Sequence, residues 1–159
     1  MTWKIHALPA ASFQPLFDLD DDALLRLGAR RMVAETPHSA PCRVSLMDAH
    51  PGETLLLVNH AHLAEPASPY RANGPIFVRR GATPADLPPG VVPDMAARRL
   101  LSARAYDAQG MMLDADVVEG ALIGDRLDQW FALPAVETVH LHTARRGCFL
   151  AGARRAAPI

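Results

Sequence analysis

The chain has 159 residues, half of them apolar, with 16 basic and 17 acidic side chains and a formal net charge of −1. That length and apolar share suit one self-sufficient domain, and the balanced charge leaves no electrostatic footprint for nucleic acid or an anionic membrane. No apolar run approaches the roughly 20 residues of a membrane helix, and the opening MTWKIHALPA lacks the charged and apolar regions of a signal peptide, so a cytoplasmic protein is expected.

Trp3 to Leu8 alternates as a short strand that Pro9 ends. Asp20, Asp21 and Asp22 then supply an N-cap and an acidic first turn; Leu24, Leu25 and Leu27 give the following helix an apolar side, and Gly28 suits its C′ position. The aspartates also suggest a metal site, but capping accounts for them more simply. Ala29 to Glu35 reads as another strand.

The stretch 41–80 is the core of the chain. Arg43 to Asp48 alternates and leads into the turn chemistry of Asp48 to Gly52, which predicts a hairpin. Thr54 to Val58 is apolar on both parities, as in a strand covered on both faces near the middle of a sheet. Residues 62–75 lack periodicity and contain Pro66, Pro69, Asn73 and Gly74, so they form an irregular loop of a length that is usually functional or disordered. A second irregular excursion covers residues 81–97.

Two further hairpins are predicted. Leu100 to Tyr106 and Met111 to Val118 flank Asp107-Ala108-Gln109-Gly110, and Val136 to Thr143 and Cys148 to Arg154 flank Ala144 to Gly147. Between them Leu122, Ile123, Leu127, Trp130 and Phe131 share one face of a helix. The expected fold is α+β: a single domain, residues 1–159, with a mainly antiparallel sheet of about eight short strands and two helices.

The blocks Pro41-Cys42-Arg43, Ser68-Pro69-Tyr70-Arg71, Gly74 to Arg79, His140-Leu141-His142-Thr143-Ala144 and Gly147-Cys148, in that order, resemble a bacterial domain-of-unknown-function family, number 1203. The resemblance runs from the Ile5 strand to the Arg154 strand. It implies a single-domain bacterial protein and no particular activity.

Three constellations carry chemistry. Arginine supplies fifteen of the sixteen basic side chains, with Lys4 alone as lysine. Arg43, Arg71 and Arg79 at strand ends and in the long loop could hold a carboxylate or phosphate through bidentate hydrogen bonds, with His62, Tyr70 and His142 as catalytic proton donors or acceptors. Solvation or pairing with Asp48, Glu53 and Asp107 accounts for these arginines about as well.

The steps His60/His62 and His140/His142 each put two imidazoles on one face of a strand, a geometry that suits a transition metal. His60-Ala61-His62 with Glu65 is also similar to the first metal motif of the cupins, although no second motif follows. Hydrogen bonding to backbone explains such histidines equally. If Thr143 pairs with Cys148, His142 lies opposite Phe149 and the thiol points away.

Third, Cys42 beside Arg43, or Cys148 after Arg145 and Arg146, could carry an activated thiolate, with buried free thiols as the alternative. The favoured reading is a small-molecule-binding protein or enzyme with an arginine-lined pocket for an anionic ligand. A metal-dependent protein and a non-enzymatic interaction module are the other two readings. No cofactor is favoured, and neither nucleic acid nor membrane is expected as a partner.

Overall fold

The computed structural model describes residues 2–158. Alternation sets the first sheet: in β1 (Trp3–His6), Trp3 and Ile5 are buried while Lys4 and His6 face outward. This strand pairs antiparallel with β8 (Phe149–Arg155), and the sheet continues through β7 (Thr138–Thr143), β5 (Leu100–Tyr106) and β6 (Met112–Glu119), all neighbours antiparallel. A second antiparallel sheet contains β2 (Arg30–Val33), β3 (Thr54–Leu63) and β4 (Ala72–Arg79), with β3 in the middle. The α+β class and the antiparallel pairing expected from the sequence are both observed.

The larger sheet has two unlike faces. On one, Ile5, Leu101, Ala103, Ala105, Val139, Leu141, Ala151 and Ala153 are buried, and the small alanines let α3 (Ile123–Phe131) lie close. Ile123, Leu127, Trp130 and Phe131 fill that interface. The indoles of Trp3 and Trp130 donate to Asp128 and Asp114 at 2.8 and 2.9 Å, so the helix is held by hydrogen bonds as well as by apolar burial. The other face carries Ser102, Arg104 and Tyr106 on β5, His140 and His142 on β7, and Phe149 on β8.

The smaller sheet packs Leu56, Val58, Ile76 and Val78 against Phe13, Phe17, Leu24, Cys42 and Val44. Phe13 and Phe17 come from two short 3-10 turns that the sequence pattern did not announce. Asp20 caps α1 (Asp21–Arg26) by accepting from the Ala23 amide at 2.7 Å, as expected. Only Leu24 of that helix is buried; Leu25 and Leu27 are each 56% exposed, so the apolar side is one residue wide.

Three boundaries depart from expectation. Residues 43–48 form no strand, because Cys42 and Met47 close a tight loop in which Leu46 takes φ +52° and both Val44 and Leu46 are buried. β3 runs on to Leu63, past a bulge between His60 and Leu63, and β4 begins at Ala72, so the irregular loop shrinks to residues 64–71. Pro75 lies inside β4, which a sheet tolerates on an edge strand. Within 81–97 the chain makes one short helix, α2 (Asp94–Ala97).

The two sheets meet at Arg43. Its amide donates to Phe77 of β4 at 3.1 Å, and its carbonyl accepts from Leu8, just after β1, at 2.9 Å. The guanidinium is 2% exposed, with Nε donating to the Phe149 carbonyl of β8 at 2.7 Å and Nη1 to the Pro41 carbonyl. Burial brings its pKa down to about 10.

A buried carbonyl left without its donor costs about 1–3 kcal/mol. Arg43→Ala is therefore expected to lower the unfolding free energy by roughly 2–5 kcal/mol, whereas Arg71→Ala, in an exposed loop, should change it by less than about 0.5 kcal/mol. Urea denaturation of both variants checks this, and equal small effects would remove Arg43 from the role of tie between the sheets.

Candidate functional site

The end of β3 and the 64–71 loop fold over the polar face of the larger sheet and bring side chains of both sheets together. Register places Arg104 directly opposite His140, and Ser102 opposite His142, so these side chains share a face. From the smaller sheet His62 enters, its ring centre 4.9 Å from His142 and 6.1 Å from His140; the His140–His142 separation is 6.3 Å. Phe149 packs against all three, stacked on His62 and edge-on to the others. Tyr106 lies 5.1 Å from His140, ring centre to ring centre.

The rim is held by Ser68. Its hydroxyl donates to the Gly110 carbonyl at 2.7 Å and accepts from the Tyr70 amide at 3.0 Å, which docks the loop on the β5–β6 turn. A side chain at Gly110, where φ is +75°, would press on Ser68 as well as strain the turn. Tyr70 is exposed and stands 6.2 Å from Tyr106.

Electrostatics in the cleft are one-sided. Burial, and after it neighbouring imidazoles and arginines, lowers the pKa of His140 to about 3. Burial likewise lowers His142 to about 4, against the opposing pull of the Gly147 carbonyl. His62 is lowered for the same first reason, with Arg104 among the contributors. All three imidazoles are neutral at pH 7. Burial raises the Tyr106 phenol, and a hydrogen bond from Arg104 acts against that rise.

His142 Nδ1 lies 3.0 Å from the Gly147 carbonyl oxygen, which can only accept, so the proton sits on Nδ1 and Nε2 keeps a lone pair. His62 Nδ1, His140 Nδ1 and His142 Nε2 are all buried and have no hydrogen-bond partner. The Arg104 guanidinium donates to Ser102 at 3.3 Å and hydrogen-bonds Tyr106, and among the described residues no carboxylate forms an ion pair with it.

The sequence-derived candidates divide. His62, His140 and His142 come together. His60 does not join them; its ring sits 6.2 Å from Phe13 and 5.9 Å from Phe149. Glu65 accepts from the Ala67 amide within its own turn, which leaves no first cupin motif around His60 and His62. Among the described residues no group of three or more His, Cys, Asp or Glu side chains converges at metal-ligating distance as it stands.

The three arginines are each engaged elsewhere. Arg43 is committed to carbonyls at the sheet junction. Arg71 donates to Pro66 in its own exposed loop at 3.1 Å, and Arg79 forks onto Glu53 at 2.7–3.1 Å and reaches Ser45 at 3.2 Å. Arg79 also lines a surface groove of about 760 Å³ that contains none of the cleft histidines. Cys42 and Cys148 are free. The Cys42 sulfur is buried and accepts from the amides of Ser45 and Arg79 at 3.4 and 3.3 Å, while the half-buried Cys148 thiol is 4.0 Å from the Arg146 carbonyl.

Sequence reasoning missed Ser102, Arg104 and Tyr106. Their signal was present: in Leu101 to Tyr106 the even positions up to Arg104 are polar against an apolar odd parity, opposite the two histidines in a predicted neighbouring hairpin.

These features define an α+β protein in which two antiparallel sheets meet at a cluster of three histidines that no carboxylate among the described residues pairs with. Residues 39–155 match the model of the family described as protein of unknown function DUF1203, and the chain belongs to that family. The match takes in every cleft residue and leaves β1, α1 and β2 outside, a narrower span than the resemblance read from the sequence. Neither a curated protein nor a solved structure matches the chain. No helix among the described residues is long and apolar enough to cross a membrane.

The Glu53–Arg79 pair has a measurable consequence. The hydrogen bond from Arg79, opposed by partial burial, holds the Glu53 carboxyl below its ordinary value of 4.5. Its stabilising contribution is therefore complete above that value and is lost as pH falls below it. Unfolding free energy measured across this acid range should fall less steeply for Glu53→Gln than for the wild type; parallel curves would dissociate the pair from acid stability.

Proposed function

We propose that the protein binds a small anionic molecule, a carboxylate or a phosphate monoester, in the cleft between the sheets. Arg104 is the anchor, and the neutral imidazoles of His62, His140 and His142 with the Tyr106 hydroxyl complete its polar lining. One observation carries the reading: Arg104 is a half-buried cation without a carboxylate partner among the described residues, set opposite His140 beside imidazoles that burial keeps neutral. A guanidinium in that position favours planar, bidentate acceptors.

This moves the anchor from Arg43, Arg71 and Arg79 to Arg104. The donors of Arg43 and Arg79 already serve carbonyls and Glu53. Arg71, on the rim loop beside Tyr70, remains placed to add a second contact at the mouth. Of the imidazoles His62 is the half-buried one, and with Tyr70 at the entrance it supports a proton transfer to or from the bound molecule, while His142 contributes a hydrogen-bonding edge.

A ligand at about 100 times its Kd stabilises the fold by roughly 2.7 kcal/mol, which is several degrees in Tm for a domain of this size. In a thermal-shift panel of carboxylates and phosphate monoesters beside neutral isosteres, at least one anion should raise the wild-type Tm. Arg104→Gln should abolish that rise, and Arg79→Ala should leave it. If no anion outperforms its neutral isostere, or if Arg104→Gln responds like the wild type, the reading is wrong.

A further inference from the structure

Of the four buried side-chain nitrogen or oxygen atoms without a hydrogen-bond partner among the described residues, three are imidazole nitrogens of the cleft: His62 Nδ1, His140 Nδ1 and His142 Nε2. A buried polar atom left without a partner costs on the order of 1–3 kcal/mol, and three such ring nitrogens in one place point to a group outside the protein chain that meets them. His140 and His142 are 8% and 1% exposed, so these are not surface rings open to solvent.

The rings cluster near, but not at, the spacing that one small ion requires. Imidazoles bound at about 2.0–2.1 Å and tetrahedral angles have ring centres roughly 5 Å apart. The observed separations are 4.9, 6.1 and 6.3 Å. One pair is thus already at ligating spacing, and the other two are wide by about 1 Å. His62 is the half-buried member and sits on β3 beside a bulge, so a ring rotation or small shift there closes the triangle.

The Gly147 carbonyl supplies the outer contact that ligating histidines characteristically have. It fixes the His142 tautomer and leaves Nε2 free to bind. Phe149 packs on all three rings and limits water around them.

We infer that His62, His140 and His142 form a three-histidine site for one divalent transition-metal ion of borderline softness, such as zinc or cobalt. The ligating atoms are His62 Nδ1, His140 Nδ1 and His142 Nε2. Three protein ligands leave a further coordination position for water or another ligand, the pattern of catalytic rather than structural sites. Imidazole-only coordination selects zinc, cobalt, nickel, copper or iron over magnesium and calcium. Three neutral ligands leave the ion's full charge in place beside Arg104, so the open position favours an anion. The inference deepens the anion-binding reading by naming what stands opposite Arg104, but it is tested without any anion.

Chelator-stripped protein is titrated with Co²⁺ alone, followed by its visible d–d absorption, and with Zn²⁺ in competition. The wild type should bind one ion, displaced by zinc. His62→Ala and His142→Gln should each weaken binding by at least the roughly 100-fold that loss of an outer-sphere partner alone can cause. His60→Ala and Arg104→Gln should still bind.

Far-UV circular dichroism and urea midpoints establish that each variant is folded, and half-exposed His62 provides the variant least disturbing to the core. Absence of stoichiometric binding in the wild type overturns the site. So does binding that survives both His62→Ala and His142→Gln. The two readings fail separately: an anion-induced Tm rise in metal-free protein with no cobalt bands retains the anchor and removes the metal, and the reverse result removes the anchor and retains the metal.

Discussion

A buried guanidinium with no carboxylate beside it is costly to solvate, and it persists only where several fixed acceptors surround it. Arg43 satisfies that condition at one place, where the chain leaving β1, the edge strand β4 and the first residue of β8 converge. Its main chain joins β4 to the segment after β1, and its side chain joins β8 to Pro41. The apolar clusters of the two sheets are otherwise distinct sets of residues, so this polar junction, together with the Phe149–His62 stack and the Ser68–Gly110 hydrogen bond, sets how one sheet lies against the other. Since His62 belongs to the smaller sheet and His140 and His142 to the larger, the width of the cleft depends on the same junction.

The larger sheet divides structure from chemistry by parity. Alanines at 103, 105, 151 and 153 admit α3 on one face, while the alternate positions of β5 and β7 project Ser102, Arg104, Tyr106, His140 and His142 on the other. Burial without any nearby carboxylate makes those histidines poor bases toward water. Their lone pairs are thereby reserved for a donor or a cation instead of a proton. Arg104 contributes to this suppression, as does Arg154, and Arg104 is at the same time a positive charge available to a ligand there.

Much of the fold was legible from local pattern. The Asp20 cap, the hairpin turns ending in Gly110 and Gly147 and the buried stripe of α3 follow from spacing and turn chemistry, and all are present; the register of the last hairpin was open in the sequence, and the structure pairs His142 with Phe149. Residues 43–48 misled because their alternation belongs to a tight loop whose side chains Val44 and Leu46 are both drawn inward.

The arginines misled for a related reason. Composition shows that forks are available but cannot show that Arg43 and Arg79 meet acceptors from distant segments, Phe149 and Glu53. Two of the histidine pairs could be placed on strand faces, yet only tertiary structure turns His60 toward Phe13 and His62 toward His142.

The last hairpin contains an irregularity of one residue. His142 pairs with Phe149 but Leu141 pairs with Ala151, which leaves Leu150 as the extra residue. Leu150 and Ala151 both enter the core beneath α3, while Phe149 belongs to the cleft and Gly152 returns to the face of His140. The insertion acts as a phase shift between two otherwise incompatible patterns, an apolar layer and a reactive one, written on a single strand. Drift in chain length is therefore unequally tolerated along this hairpin. The exposed turn residues Arg145 and Arg146 are the least constrained, whereas the interval from Gly147 to Gly152 must keep its count for the two layers to stay on their own sides.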